Sequence, residues 1–245
     1  MLKKIISSMI LFIALLGCIS YAANTSKDQW QWYYSDDNQT RYFNPNSVTY
    51  DKKSNTATVW NKSVISNGMA SKNCIKISFS NKTSQLILYV NPEGNIVPPK
   101  ANSNDEIGPG TPSEALANAV ADQLNLPHIY KGGSDRWQWF HSTDTESYYI
   151  ATDATSYNTK TNLYSVWIKT VRATKGSNYP IHYVFDFTNH TWGFALFNHM
   201  KPVEPDSWQE IIYNGAYDLC KKLYGLPDRE SPIDNFGFLS TQQTE

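Results

Sequence analysis

The chain has 245 residues and a mass of 27.9 kDa, with 21 Lys and Arg against 22 Asp and Glu, and 8 Trp, 16 Tyr and 10 Phe. A formal charge of -1 and an isoelectric point near 6.5 supply no basic footprint for a phosphate backbone, which argues against a nucleic-acid-binding protein. Three cysteines are too few for a disulfide framework or an all-cysteine zinc site, while 40% apolar residues suffice for a core in one large domain or two smaller modules.

Residues 1–22 read as a secretory signal peptide, with Lys3 and Lys4 ahead of an apolar run from Ile5 to Leu16 and small residues at the end. The run is too short for a membrane span of about 20 residues. Two processing sites remain open. Ser20-Tyr21-Ala22 suits a cut before Ala23, and Leu15-Leu16-Gly17-Cys18 resembles a bacterial lipoprotein box with Cys18 as the lipidated residue. Both outcomes put the mature chain outside the cytoplasm, in the periplasm, at the outer membrane or secreted. No later stretch is long and apolar enough to predict a transmembrane helix, so a lipid at Cys18 is the membrane anchor the sequence offers.

From Trp30 the chain is written twice. Residues 30–64 align with residues 137–171 at a constant offset of 107, with 13 of 35 positions identical, among them Trp30, Gln31, Trp32, Ser35, Tyr42, Tyr50, Asn55, Trp60 and Lys62. Unrelated stretches would share about two. The match continues at an offset of 108, where Ile77, Phe79, Asn81, Thr83 and Leu88 meet Phe185, Phe187, Asn189, Thr191 and Leu196. In the first copy, residues 56–65 predict a strand, and residues 75–79 and 85–90 a hairpin turning at Asn81-Lys82. Residues 92–110, rich in Pro, Gly and Asn, predict the most flexible stretch. Residues 111–127 switch to helical spacing, and Thr111 followed by Glu114 reads as a capping box.

Residues 128–135, with Gly132 and Gly133, predict a linker. The second copy repeats the pattern with a strand at residues 163–171, a hairpin at 182–187 and 192–197 turning at Asn189-His190, and a helix at 207–227 that opens on Ser207 and Glu210 and runs about one turn longer. The fold class expected is α+β: two tandem modules, 23–130 and 131–227, each an antiparallel meander of about five strands with one C-terminal helix packed on it. Residues 228–245 form a tail whose Phe236, Phe238 and Leu239 are candidates to dock on the first module.

No strong catalytic signature appears. His128, His141, His182, His190 and His199 show no metal-ligand spacing and no duplicated partner, and GxSxG, Walker and EF-hand motifs are absent from the sequence. His182, Asp186 and His190 at the second hairpin are the nearest to a constellation, and they read as ordinary hairpin positions. No metal, cofactor or catalytic residue is therefore expected. The Trp-Gln-Trp segments, Trp30 and Trp32 in one copy and Trp137 and Trp139 in the other, read either as an aromatic platform for carbohydrate or peptide, or as a strand packing its Trp face on the helix. The second reading is favoured. Cys74 and Cys220 remain in the mature chain. In an oxidising compartment they would bond across the modules; the alternative is two separately buried thiols.

Both copies share a pattern of an initial Trp, a tyrosine pair before a short strand, then an N-S-V segment and a V-W-x-K strand, closing in a capped helix. The residues are Trp30, Tyr42, Asn46-Ser47-Val48, Val59-Trp60 and Lys62, then Trp137, Tyr148-Tyr149, Asp153, Val166-Trp167 and Lys169. The pattern resembles the surface-adhesin protein E family of bacterial secreted or lipid-anchored domains. The resemblance implies an antiparallel sheet with a packed helix, an outer-surface or periplasmic location, and binding of host or matrix proteins. It also implies a strand cysteine and a helix cysteine in one module, whereas here each module has one. The functional expectation is a noncatalytic extracytoplasmic binding or envelope protein; a periplasmic hydrolase and an accessory or inhibitor subunit are the alternatives.

Overall fold

The computed structural model describes residues 29–99, 104–172, 180–197 and 199–226. The signal segment with Cys18 and the tail 228–245 lie outside the described residues. The chain is mostly antiparallel β-sheet with two helices, and apart from a short stretch ending at Ile181 it divides into two compact units at Arg136/Trp137.

In the first unit the strands are β1 (Gln31–Ser35), β2 (Gln39–Phe43), β3 (Thr49–Asp51), β4 (Thr56–Ile65), β5 (Ala70–Ser78), β6 (Thr83–Val90), β7 (Ile96–Val97) and β8 (Asp105–Glu106), followed by α1 (Pro112–Leu124). The sheet order is β1-β2-β4-β5-β6-β7, with β3 on β4 and β8 on β6. The second unit holds β9 (Trp137–Ser142), β10 (Glu146–Ala151), β11 (Ser156–Asn158), β12 (Leu163–Arg172), β13 (Ile181–Asp186), β14 (Thr191–Phe194), β15 (Lys201–Pro202) and α2 (Trp208–Tyr224). Its order is β15-β14-β13-β12-β10-β9, with β11 on β12.

Eight and seven strands stand where about five were expected, because β3, β7, β8, β11 and β15 are two or three residues long and exist only through pairing with a neighbour. Such pieces carry too few residues to show an alternation. The stretch 92–110 is partly ordered on the first sheet: β7 and β8 pair with β6, and Ile107 is fully buried. Residues 128–136 are also packed rather than free. Ile129 and Tyr130 are buried, the Tyr130 hydroxyl donates to the Ile107 carbonyl at 2.8 Å, and the buried Arg136 makes a bidentate pair with Glu114 at 2.7 Å on both arms.

The helices begin where their caps place them. Thr111 and Ser207 accept the N–H groups of Glu114 and Glu210 at 3.3 and 3.2 Å, satisfying donors that have no intrahelical partner. Each glutamate reaches back one residue beyond the cap, to the N–H of Gly110 at 2.6 Å and of Asp206 at 2.8 Å. The left-handed Asn125 and Gly225 close the C-termini. At 13 and 17 residues, the helices differ by the expected turn. Alternation assigns the two faces of each sheet. Ala57, Val59 and Ile77 are buried in the first unit, and Ile150, Tyr164, Val166, Ile168, Tyr183 and Phe185 form one core with Ile212, Tyr213, Ala216, Leu219 and Cys220 of α2.

Of the two readings of Cys74 and Cys220, the cross-module disulfide finds no support, since the two are not at bonding distance. Both are fully buried thiols. Cys220 belongs to the core beneath α2, and Cys74 registers opposite Trp60 and Leu88 in the first sheet.

Candidate functional site

The site begins with a shared irregularity. Between β1 and β2 the register runs Trp32 to Tyr42 and then Tyr34 to Arg41, leaving Tyr33 as an extra residue. Between β9 and β10, Trp139 faces Tyr149 and His141 faces Tyr148, leaving Phe140 extra. A bulge sharpens the local twist and re-aims a side chain. Here the bulged rings meet partners of their own unit: Tyr33 lies edge-on to Phe43 at 6.3 Å, and Phe140 is 6.1 Å from Tyr148 and packs against the core. The inward aromatic of the segment is thus the residue after the Trp-Gln-Trp triplet.

The tryptophans themselves do not pack on the helix as the alternation suggested. Trp32 and Trp139 are 59% and 57% exposed. Each indole N–H donates to a serine three residues on, Ser35 or Ser142, at 2.8 Å in both cases. The serines continue to Thr40 at 3.3 Å and Ser147 at 2.8 Å, so both rings are oriented by the same two-step relay. Trp30 and Trp137 are half-buried under lysines instead. Lys62 Nζ lies 5.0 Å from the Trp30 ring centre and 5.1 Å from Tyr42, and Lys169 Nζ lies 4.5 Å from Trp137 and 5.4 Å from Tyr149. Burial among these rings pulls the Lys169 amine below its usual pKa. Trp32, Tyr42 and Lys62 are cross-strand neighbours, as are Trp139, Tyr149 and Lys169, so each sheet carries one aromatic-lysine row.

Beside each exposed tryptophan, strand and helix enclose a groove. The first, of about 520 Å³, is lined by Gln31, Trp32, Tyr33 and Phe43 of the sheet and Ala115, Asn118, Ala119, Asp122 and Gln123 of α1. The second, of about 450 Å³, is lined by Gln138, Trp139, Phe140, His141 and Ile150 and by Ile211, Asn214, Gly215, Asp218, Leu219 and Lys222 of α2. Both sizes fall within the range of small-ligand sites. Aligning the sheets at 107 and the helices at 96, the offset of Thr111 from Ser207, gives every residue of the first groove a counterpart in the second, which adds His141 and Lys222 and has Leu219 in place of Gln123. Gln31, Trp32, Asn118 and Asp122 meet identical Gln138, Trp139, Asn214 and Asp218. The apolar floor diverges: Tyr33 against Phe140, Phe43 against Ile150, Ala115 against Ile211, Ala119 against Gly215. The carboxyl and amide members, Asn118, Asp122, Asn214 and Asp218, were missed in the sequence. The signal that finds them is the alignment of the two helices on their caps.

The polar rim is not uniformly satisfied. Asn118 Oδ1 is buried in the first groove with no hydrogen-bond partner, an acceptor left over at a cost. One oxygen of Asp122 takes His128 Nε2 at 2.7 Å while most of the carboxylate stays exposed.

The other candidates have structural tasks. His182 stacks on Trp167 at 4.5 Å and hydrogen-bonds Ser165, whereas Asp186 closes its own turn by accepting the N–H groups of Thr188 and Asn189 at 3.0 Å each. His190 sits left-handed in that turn, 5.7 Å from Tyr213. The three do not converge on one site. Burial pushes the Cys220 thiol up to about 12, which keeps the nucleophilic thiolate unpopulated at neutral pH. Among the described residues no group of three His, Cys, Asp or Glu side chains is arranged to hold a metal ion, and no helix is long and apolar enough to cross a membrane. No protein-family model, curated protein or solved structure matches the chain.

Proposed function

We propose that the chain is a noncatalytic, extracytoplasmic bacterial protein of two tandem α+β modules of the surface-adhesin protein E kind, and that it binds an envelope or surface ligand through the two grooves. One observation carries this reading: the polar residues Gln31, Asn118 and Asp122 and the exposed Trp32 of one groove meet identical residues in the other, while the apolar positions Tyr33, Phe43, Ala115 and Ala119 have all changed. Packing alone favours the reverse, since apolar positions in contact with a core tolerate few changes and polar surface positions many. Exposed tryptophans held by a fixed hydrogen bond offer contact area at little entropic cost, which suits recognition. The signal-like first segment and the protein E-like pattern supply the compartment.

The test uses protein purified from the envelope fraction of cells expressing the full chain, together with the same chain carrying Cys18→Ser so that no lipid anchor contributes to pelleting, each mixed with isolated bacterial envelopes and sedimented. Wild type is expected in the pellet and the Trp32→Ala/Trp139→Ala variant in the supernatant, with unchanged circular dichroism because both rings are exposed. Equal pelleting of the two proteins, or none of either, overturns the reading and returns weight to an enzyme or accessory subunit. Intact mass of the same preparation reads the processing site: a start at Cys18 with acyl chains, or a start at Ala23 without them.

A further inference from the structure

We infer that each groove is a saccharide site whose ligand class is an N-acetylated hexosamine, one residue or short oligomer per unit, making the chain bivalent for a polysaccharide. The inference rests on the binding reading and adds the chemistry of the ligand.

Three features of the groove select this class. The first is the tryptophan. With its N–H committed to Ser35 or Ser142, the indole has no donor to offer, and what remains for a ligand is the π face. A pyranose ring presents a flat patch of C–H groups that suits such a face, and the ring needs no ordering on binding. The second is the rim. A glutamine, an asparagine and an aspartate in each groove supply amide donors, amide acceptors and a carboxylate acceptor, the set that serves vicinal hydroxyls, each a donor and an acceptor. Asn118 Oδ1, buried without a partner, is an acceptor waiting for a donor of this kind. The third is the floor. Ala115 and Ala119 with Tyr33, or Ile211 and Gly215 with Phe140, give an apolar bottom next to the amides. An acetamido group matches that combination: its methyl takes the floor while its N–H and C=O take a carboxylate or amide oxygen and an amide N–H.

Other classes fit less well. The first groove is lined by no lysine or arginine, so a phosphate or sulfate group would find no countercharge there, and the second sets Asp218 beside its one lysine, Lys222. A proline-rich peptide docks between several aromatic ridges, and each groove exposes one tryptophan to it.

The probe is the β-1,4-linked trimer of N-acetylglucosamine, titrated calorimetrically into the full chain, with the glucose trimer as comparator. The expected result is two sites per chain, one in Trp32→Ala, one in Trp139→Ala and none in the double variant, while Trp32→Tyr retains its site because the stacking face is kept. Two sites in one chain also predict tighter retention on insoluble poly-N-acetylglucosamine than on the trimer wherever both engage one polymer. Absence of trimer binding to wild type, or binding unchanged in the double variant, overturns the saccharide assignment; equal binding of the glucose trimer overturns its acetamido part. If envelope sedimentation still depends on the two tryptophans while the trimer does not bind, the binding reading stands and the ligand class falls. If both fail, the grooves are not sites.

Discussion

At the scale of single residues, the two copies show how one backbone accepts different side chains by exchanging volume. A Cβ added at Gly215 would lie 2.2 Å from a ring carbon of Phe140, whereas the equivalent helix position in the first unit is Ala119, beside Tyr33. Glycine inside a helix costs about 1 kcal/mol relative to alanine, so Gly215→Ala would stabilise an open position. Here the collision reverses the sign. Overpacking typically costs about 1–3 kcal/mol, and we expect Gly215→Ala to lower the urea midpoint and Phe140→Leu to restore much of it in the double variant. A raised midpoint in the single variant would refute the contact.

Other single residues are duplicated in geometry as well as in identity. The Tyr50 and Tyr157 hydroxyls donate to Asn55 and Asn162 at 2.9 and 2.6 Å, and both asparagines adopt the left-handed conformation that the turn requires. Their side-chain amides then reach Ser80 at 2.9 Å and Thr188 at 2.5 Å.

At the scale of elements, the helix starts differ in what their glutamates hold. Glu210 is a surface capping residue, while Glu114 is buried and carries both the Gly110 N–H and the Arg136 guanidinium, tying the N-terminus of α1 to the last residue before β9. Breaking a buried pair by removing one partner strands a charge in the interior. We expect Arg136→Ala to cost about 3–5 kcal/mol in chemical denaturation, and Glu210→Ala about 1 kcal/mol or less, since its partner is an exposed backbone N–H. Equal losses would mean that the buried pair is no more than a cap. The elements also separate what was readable. Strands β4 and β12 and both helix N-termini were legible because β-branched runs and S/T-x-x-E signals are local. The outward face of Trp32 and Trp139 was not, because alternation says that two residues share a face without saying which face, and the bulge at Tyr33 and Phe140 decides it.

At the scale of the whole molecule, several carboxylates link stability to pH. The Asn38 N–H lowers the pKa of Asp36, the Ser54 hydroxyl that of Asp51, and the Tyr148 hydroxyl followed by Arg172 that of Glu146. At Asp186 burial acts upward, but the Asn189 side chain and the backbone N–H groups of Asn189 and Thr188 together outweigh it. Each group has a folded pKa below its unfolded one. Its contribution is therefore complete above the unfolded value, about 4, and is lost as pH falls through the folded value. The thermal midpoint is expected to hold between about pH 5 and 7 and to decline below about pH 4, with a shallower decline in Asp186→Asn. A midpoint that does not fall on acidification would show that these turns are not linked to folding.

The sequence by itself determined the duplication, the caps, the hairpin turns at Asn81-Lys82 and Asn189-His190 and the absence of a basic surface, because these depend on local chemistry or on counting. Only the tertiary structure decided that Cys74 and Cys220 lie apart as buried thiols, that residues 128–136 pack on the first unit, and that Gln31, Trp32, Asn118 and Asp122 share a groove with an exact counterpart in Gln138, Trp139, Asn214 and Asp218. The physical reason is sequence distance. A groove wall made by a strand and a helix some 80 residues apart leaves no periodicity in the chain, and its members become neighbours only when the sheet has formed and the helix has packed across it.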